Sequence, residues 1–116
     1  MPCNKSDADI NRKWWGLGLE VELYLSDDDI EYIDEQIELG AKAAGVYAAL
    51  VRLGIVSGAL TNPYSIAIGS IVLFYIEWIK YSNDGCGVEV STTLRGSAWG
   101  GVSVKAQTED DGWWPW

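Results

Sequence analysis

The chain has 116 residues and a formal net charge of −9, from 17 acids against 8 Lys and Arg, with no histidine. That length holds one domain. The acidic balance leaves no basic footprint for a phosphate backbone, which excludes nucleic acid as a partner, and the lack of histidine removes the commonest general base and metal ligand.

Residues 1–13 read as a polar arm, and residues 14–116 as the single domain. The arm carries no apolar stretch of the kind a secretory signal needs. The expected location is cytoplasmic, or outside after release without such a signal, with membrane association on acting. Cys3, in the arm, and Cys86, in a Gly-rich turn, are the two cysteines. They permit one bridge and no disulfide framework, and no Cys/His spacing fits zinc.

Leu17, Leu19, Val21, Leu23 and Leu25 fall on every second residue, which predicts a strand with one apolar face. Ser26 is placed to cap a helix whose first turn holds Asp27, Asp28 and Asp29, at the positive end of its dipole. Ile30, Ile33 and Ile37 give that helix one apolar stripe over residues 27–39. After Gly40 the polar side disappears. Leu53–Ile76 then runs 24 residues without a formal charge, interrupted by Thr61-Asn62-Pro63. Asn62 is expected to cap a second helix with Pro63 at its first position. Two apolar helices are therefore predicted, Gly40–Leu60 and Pro63–Tyr81, about 31 Å and 28 Å long. Ser82-Asn83-Asp84-Gly85 ends the second. Val88–Arg95 and Trp99–Gln107 alternate as two further strands. The expected fold is α+β: an N-terminal strand, a long apolar helical hairpin within residues 27–81, and a C-terminal β-hairpin. The strands would form a small antiparallel sheet packed on the helices.

No catalytic constellation stands out. Ser, Thr and Cys lack an activating partner, and the Asp27-Asp28-Asp29-Glu31 cluster lacks the spacing and glycine of a calcium loop. The expectation is a non-enzyme with no cofactor, no metal and no identified small-molecule substrate. The apolar helices carry the signal instead. Each matches a hydrocarbon core near ~30 Å, and the tip between them is uncharged. Gly54-x-x-x-Gly58 and Ser65-x-x-x-Gly69 offer small faces for close backbone approach. Tyr75, Trp78 and Tyr81 cluster at the open end of the hairpin. Trp14, Trp15 and Trp99 lie on the adjoining strands and Trp113, Trp114 and Trp116 on the tail. Such rings favour a bilayer interface or a protein interface. Arg52, mid-helix, would mark a water-facing surface or line a pore.

The layout of residues 40–81 resembles the apolar helical hairpin of pore-forming colicins, in architecture and without a shared motif. The expected function is thus a non-enzymatic, self-associating, membrane-active protein, pore-forming or bacteriocin-like, that inserts its hairpin into a lipid membrane. Mild acid would assist by lowering the negative charge. The alternative is a soluble homo-oligomeric structural or protein-binding module whose apolar helices form the oligomer core.

Overall fold

The computed structural model describes residues 4–12, 18–58, 62–95 and 98–107. In chain order they form β1 (Asp7–Arg12), β2 (Leu19–Leu25), α1 (Asp27–Glu38), α2 (Ala43–Arg52), α3 (Asn62–Phe74) and α4 (Ile76–Ser82). β3 (Val88–Arg95), β4 (Ala98–Trp99) and β5 (Ser103–Ala106) follow. The protein is α+β, with four helices and an antiparallel sheet among the described residues.

The sheet runs β1-β2-β3, and β4 and β5 share the place on the far side of β3. β2 buries Leu19, Val21, Leu23 and Leu25 and turns Glu20, Glu22 and Tyr24 outward, the alternation its sequence predicts. β3 buries Val88, Val90, Thr92 and Leu94 against the same core. The third predicted strand is interrupted. Leu94 pairs with Trp99, but Ser91 pairs with Ser103, so one extra residue is accommodated around Gly100 and Gly101. This is a β-bulge.

The arm is the first correction. Residues 7–12 are not an arm outside the domain but the edge strand β1, paired antiparallel with β2 from Asp7↔Tyr24 to Arg12↔Leu19. Ala8 and Ile10 pack against the core while Asp7, Asp9 and Asn11 are exposed. Two inward apolar residues are enough once a neighbouring strand supplies the hydrogen bonds.

The helical hairpin is the second correction. Neither of the two long helices forms. α2 stops at Arg52 because Gly54 takes a left-handed φ of +76°. The Gly54 N–H donates to the Val51 carbonyl, and the Ile55 N–H donates to the Leu50 carbonyl. That is a Schellman stop, closed by buried Ile55 and Leu50. The same device ends α1. Gly40 has φ +102°, its N–H donates to Ile37 and that of Ala41 to Gln36. Beyond α2, residues 53–58 fold back, with Ile55 and Val56 buried and the Ser57 carbonyl accepting from the Tyr47 hydroxyl at 2.6 Å. The second long helix divides at Tyr75 into α3 and α4. At 1.5 Å per residue, α2 and α3 reach only about 15 Å and 20 Å. No helix among the described residues is long and apolar enough to cross a membrane.

What the apolar helices build is the core of a single chain. Val46, Ala49 and Leu50 of α2 are buried, as are Ala67, Ile68, Ile71 and Val72 of α3. They join the inward side chains of the sheet and Ile30 and Ile33 of α1 in one cluster.

A polar corner ties residues 4–6 to the start of α1, the turn before β3 and the end of β5. Gln107, buried at the end of β5, donates through Nε2 to the carbonyls of Lys5 (3.0 Å), Leu25 (3.1 Å) and Val88 (3.3 Å). Its Oε1 accepts from the Lys5 N–H at 2.8 Å. Nearby, Ser26 and Asp29 form the reciprocal capping box of α1, and the Ser6 hydroxyl also reaches the Asp29 carboxylate. Asn4 accepts from the Asp27 N–H and donates to the Gly85 carbonyl. Cys86, in the same corner, is disulfide-bonded. The sequence has one other cysteine, Cys3, which lies outside the described residues.

Candidate interaction surface

Phe74, Trp78 and Tyr81 are spaced i, i+4 and i+7 across the junction of α3 and α4. The backbone turns at Tyr75 (φ −102°, ψ 12°), with helical bonds on either side, from the Tyr75 N–H to Ile71 and from the Ile79 N–H to Tyr75. Phe74 ends α3, and Trp78 and Tyr81, three residues apart on α4, lie side by side. Their exposures are 73%, 59% and 87%, while Ile76 and Ile79 between them are buried and fix the helix to the core.

The stripe extends onto the sheet. Phe74 packs against Trp99 with ring centroids 6.1 Å apart, and Trp78 lies 6.5 Å from Tyr81. Tyr75 and Trp78 border a shallow hollow with Val102, Ser103 and Val104. Tyr75 and Trp99 are themselves half-buried against the core. Glu77 is the carboxylate beside the stripe, and Lys80 is held by Asp34 at 3.1 Å and Glu77 at 3.7 Å. The patch thus mixes broad apolar rings with polar tips, the side-chain chemistry of a wet interface.

The opposite face of the sheet is acidic. Asp9 pairs across from Glu22, and Asp7 across from Tyr24, which lies beside Glu89 on β3. Lys5 sits 4.4 Å over the Tyr24 ring, and Lys105 bridges Glu89 at 3.8 Å. Burial, then Glu89, Glu22 and Asp9, push the Tyr24 hydroxyl up to about 12 from 10.0. Raised in the folded state, this group contributes stability at pH values below 10, and the contribution is lost as pH climbs from 10 towards 12. A phenolate-absorbance titration of wild type minus Tyr24→Phe is expected to show a midpoint near 12. A midpoint near 10 would contradict the acidic surroundings described here.

The other residues singled out in the sequence fall in different places. Ser65 and Gly69 are buried in α3, and a Cβ on Gly69 would lie 2.0 Å from the Ala43 carbonyl oxygen. Gly69 therefore does permit a close approach, to the start of α2. Gly54 and Gly58 do not share in it. They lie beyond the end of α2, and nothing stands within 4 Å of where their Cβ atoms would be. Reading them as a helical small face is corrected by the Schellman stop. Asn62 and Pro63 open α3 in backbone, and their side chains lie outside the described residues, as do Trp14, Trp15, Trp113, Trp114 and Trp116. Arg52 is exposed at the end of α2, with Nη1 donating to the Tyr32 hydroxyl at 3.4 Å.

Phe74 was absent from the predicted surface, although its spacing from Trp78 and Tyr81 carried the signal. Among the described residues no group of three or more His, Cys, Asp and Glu is placed to hold a metal ion. The chain matches no family model, no curated protein and no solved structure.

Proposed function

We propose that this is a non-enzymatic, membrane-active protein that attaches to a bilayer surface through Phe74, Trp78 and Tyr81. The observation that carries this reading is the exposure of three large rings, Phe74 at the end of α3 and Trp78 and Tyr81 on α4, beside Ile76 and Ile79, which anchor α4 to the core. If about half of each ring's ~200 Å² enters the interface, some ~300 Å² leaves water, a gross gain of about 7 kcal/mol. Association costs of similar size leave reversible binding. A net charge of −9 favours zwitterionic over anionic lipid. Attachment keeps α2 and α3 folded. A pore would need a larger rearrangement, with helix continuing through residues 53–58 and Tyr75.

Phosphatidylcholine vesicle co-sedimentation tests the reading. Phe74→Ser/Trp78→Ser/Tyr81→Ser is expected to lower partitioning at least about a hundredfold, since each ring contributes about 1–2 kcal/mol. Its melting temperature should stay near that of the wild type, because these side chains already face water. Equal pelleting of the triple variant and wild type would sink the proposal. Capture of a protein partner, with no lipid binding by the wild type, would support the binding-module reading on the same rings.

A further inference from the structure

Disulfide-bonded Cys86 lies in a turn that its neighbours hold in place. Asn83 Oδ1 accepts from the N–H of Gly85 at 3.1 Å and from that of Gly87 at 3.0 Å. Asp84 Oδ1 accepts from the Cys86 N–H at 3.4 Å. Gly87 takes a left-handed φ of +87°, and a Cβ there would strike the Leu25 carbonyl oxygen, so the turn sits directly on the end of β2. Cys86 is half-buried and Asp84 and Gly85 are exposed, which leaves the turn open to a reductant.

The segment that leads into β1 is bonded to this same turn. The Asn4 N–H donates to the Cys86 carbonyl at 2.6 Å, and Asn4 Nδ2 donates to the Gly85 carbonyl at 2.9 Å. Asn4 follows Cys3, the one other cysteine of the sequence. A bridge within one chain therefore needs no rearrangement of the turn. Burial does little to hold the segment. From Asn4 to Asn11 no side chain is fully buried: Ala8 and Ile10 are half-buried and the others are exposed. A strand with so few buried contacts belongs to the part of a fold that opens first.

We propose that a Cys3–Cys86 disulfide is a redox-sensitive clamp on β1. While it is closed, a β1 that opens remains tethered on both sides and returns to the edge of β2 at high effective concentration. A dithiol opens the clamp by exchange. Its thiolate attacks one sulfur of the bridge, the S–S bond breaks through a mixed disulfide, and the second thiol of the reductant displaces the protein. The dithiol gives up two electrons and two protons and leaves as its own disulfide, and Cys3 and Cys86 become thiols. β1 is then tethered on one side only, and its release uncovers the backbone edge of β2 along Leu19–Leu25. Disulfides persist in oxidising compartments, so the covered edge is the form found there, and passage into a reducing compartment uncovers it.

Intact mass and amide exchange on the wild type, with and without dithiothreitol, test the clamp. The untreated protein should have the single-chain mass of 12.8 kDa and be lighter by two hydrogens than the reduced one, with the peptides containing Cys3 and Cys86 recovered joined. Reduction should speed exchange of the β1 amides at least about tenfold, while the β2–β3 ladder stays protected. Cys86→Ser should show the fast β1 exchange without reductant and no further change with it. Unjoined cysteines, or a bridge between two chains, would overturn the proposal. Exchange in β1 that ignores reduction would also overturn it. So would loss of protection in β1 and β3 together, which would make the bridge a staple of the whole fold.

Discussion

Gly69→Ala should lower stability by about 3 kcal/mol and the melting temperature by more than about 10 °C, despite the better helix propensity of alanine. The new Cβ would lie 2.0 Å from the Ala43 carbonyl oxygen and 2.8 Å from its carbon. Those are backbone atoms at the first residue of α2, so no side chain can rotate away. Relief requires α2 and α3 to separate, and that opens the packing of Val46, Leu50, Ile68 and Val72, all fully buried. Gly58→Ala is the control. Open space surrounds that position and its φ is not positive, so the substitution should be neutral or slightly stabilising. Urea denaturation of both variants decides the matter. A Gly69→Ala protein as stable as the wild type would show that the two helices do not meet at this glycine.

Gln107→Leu should cost a similar amount, about 3 kcal/mol, although it keeps the volume and adds apolar character. Gln107 satisfies the Lys5, Leu25 and Val88 carbonyls and the Lys5 N–H. Leucine removes this donor from the buried Leu25 and Val88 carbonyls, which keep only their ladder partners, and strips the Lys5 carbonyl and N–H of their partner, each lost bond costing about 1 kcal/mol. Two further consequences separate this from a general loss of stability. The amides of β1 should exchange faster, because Lys5 is the residue through which Gln107 holds the arm. Gln107→Glu should be no milder, since a carboxylate would face three carbonyl oxygens. If β1 keeps its protection in Gln107→Leu, the corner does not hold the edge strand.

The legible parts of the fold were those in which one local rule acted alone. β2 and β3 follow strict alternation, and Ser26-Asp27-Asp28-Asp29 opens α1 by capping and charge, with Ser26 and Asp29 in the observed reciprocal bonds. The apolar region failed the same treatment because composition hides chain reversal. Leu53-Gly54-Ile55 contains a helix stop, but glycine in a Gly/Ala-rich run reads equally well as a packing surface. Only the left-handed φ of Gly54 distinguishes the two. β1 was missed for the opposite reason. Ala8 and Ile10 are too few to give a strand period, and their burial depends on a partner 11 residues or more along the chain. Gln107 gave no local signal at all, since its partners Lys5, Leu25 and Val88 are distant in sequence.

The surface was legible in part. Trp78 and Tyr81 stand out as aromatics on an apolar helix. That their side faces water, while Ile76 and Ile79 face the core, follows from the sheet packed beneath α4. The uncharged run from Leu53 to Ile76 thus divides into two functions: Ile55, Val56, Ile68, Ile71 and Val72 build the core, and Phe74 begins the exposed stripe.

Depth-dependent quenching of tryptophan emission by brominated phosphatidylcholine tests surface attachment most directly. Attachment through Phe74, Trp78 and Tyr81 predicts quenching by bromine near the headgroups, little by bromine deep in the acyl chains, and loss of the shallow signal in the triple serine variant. Quenching strongest at the bilayer centre, or none at any depth, would contradict it.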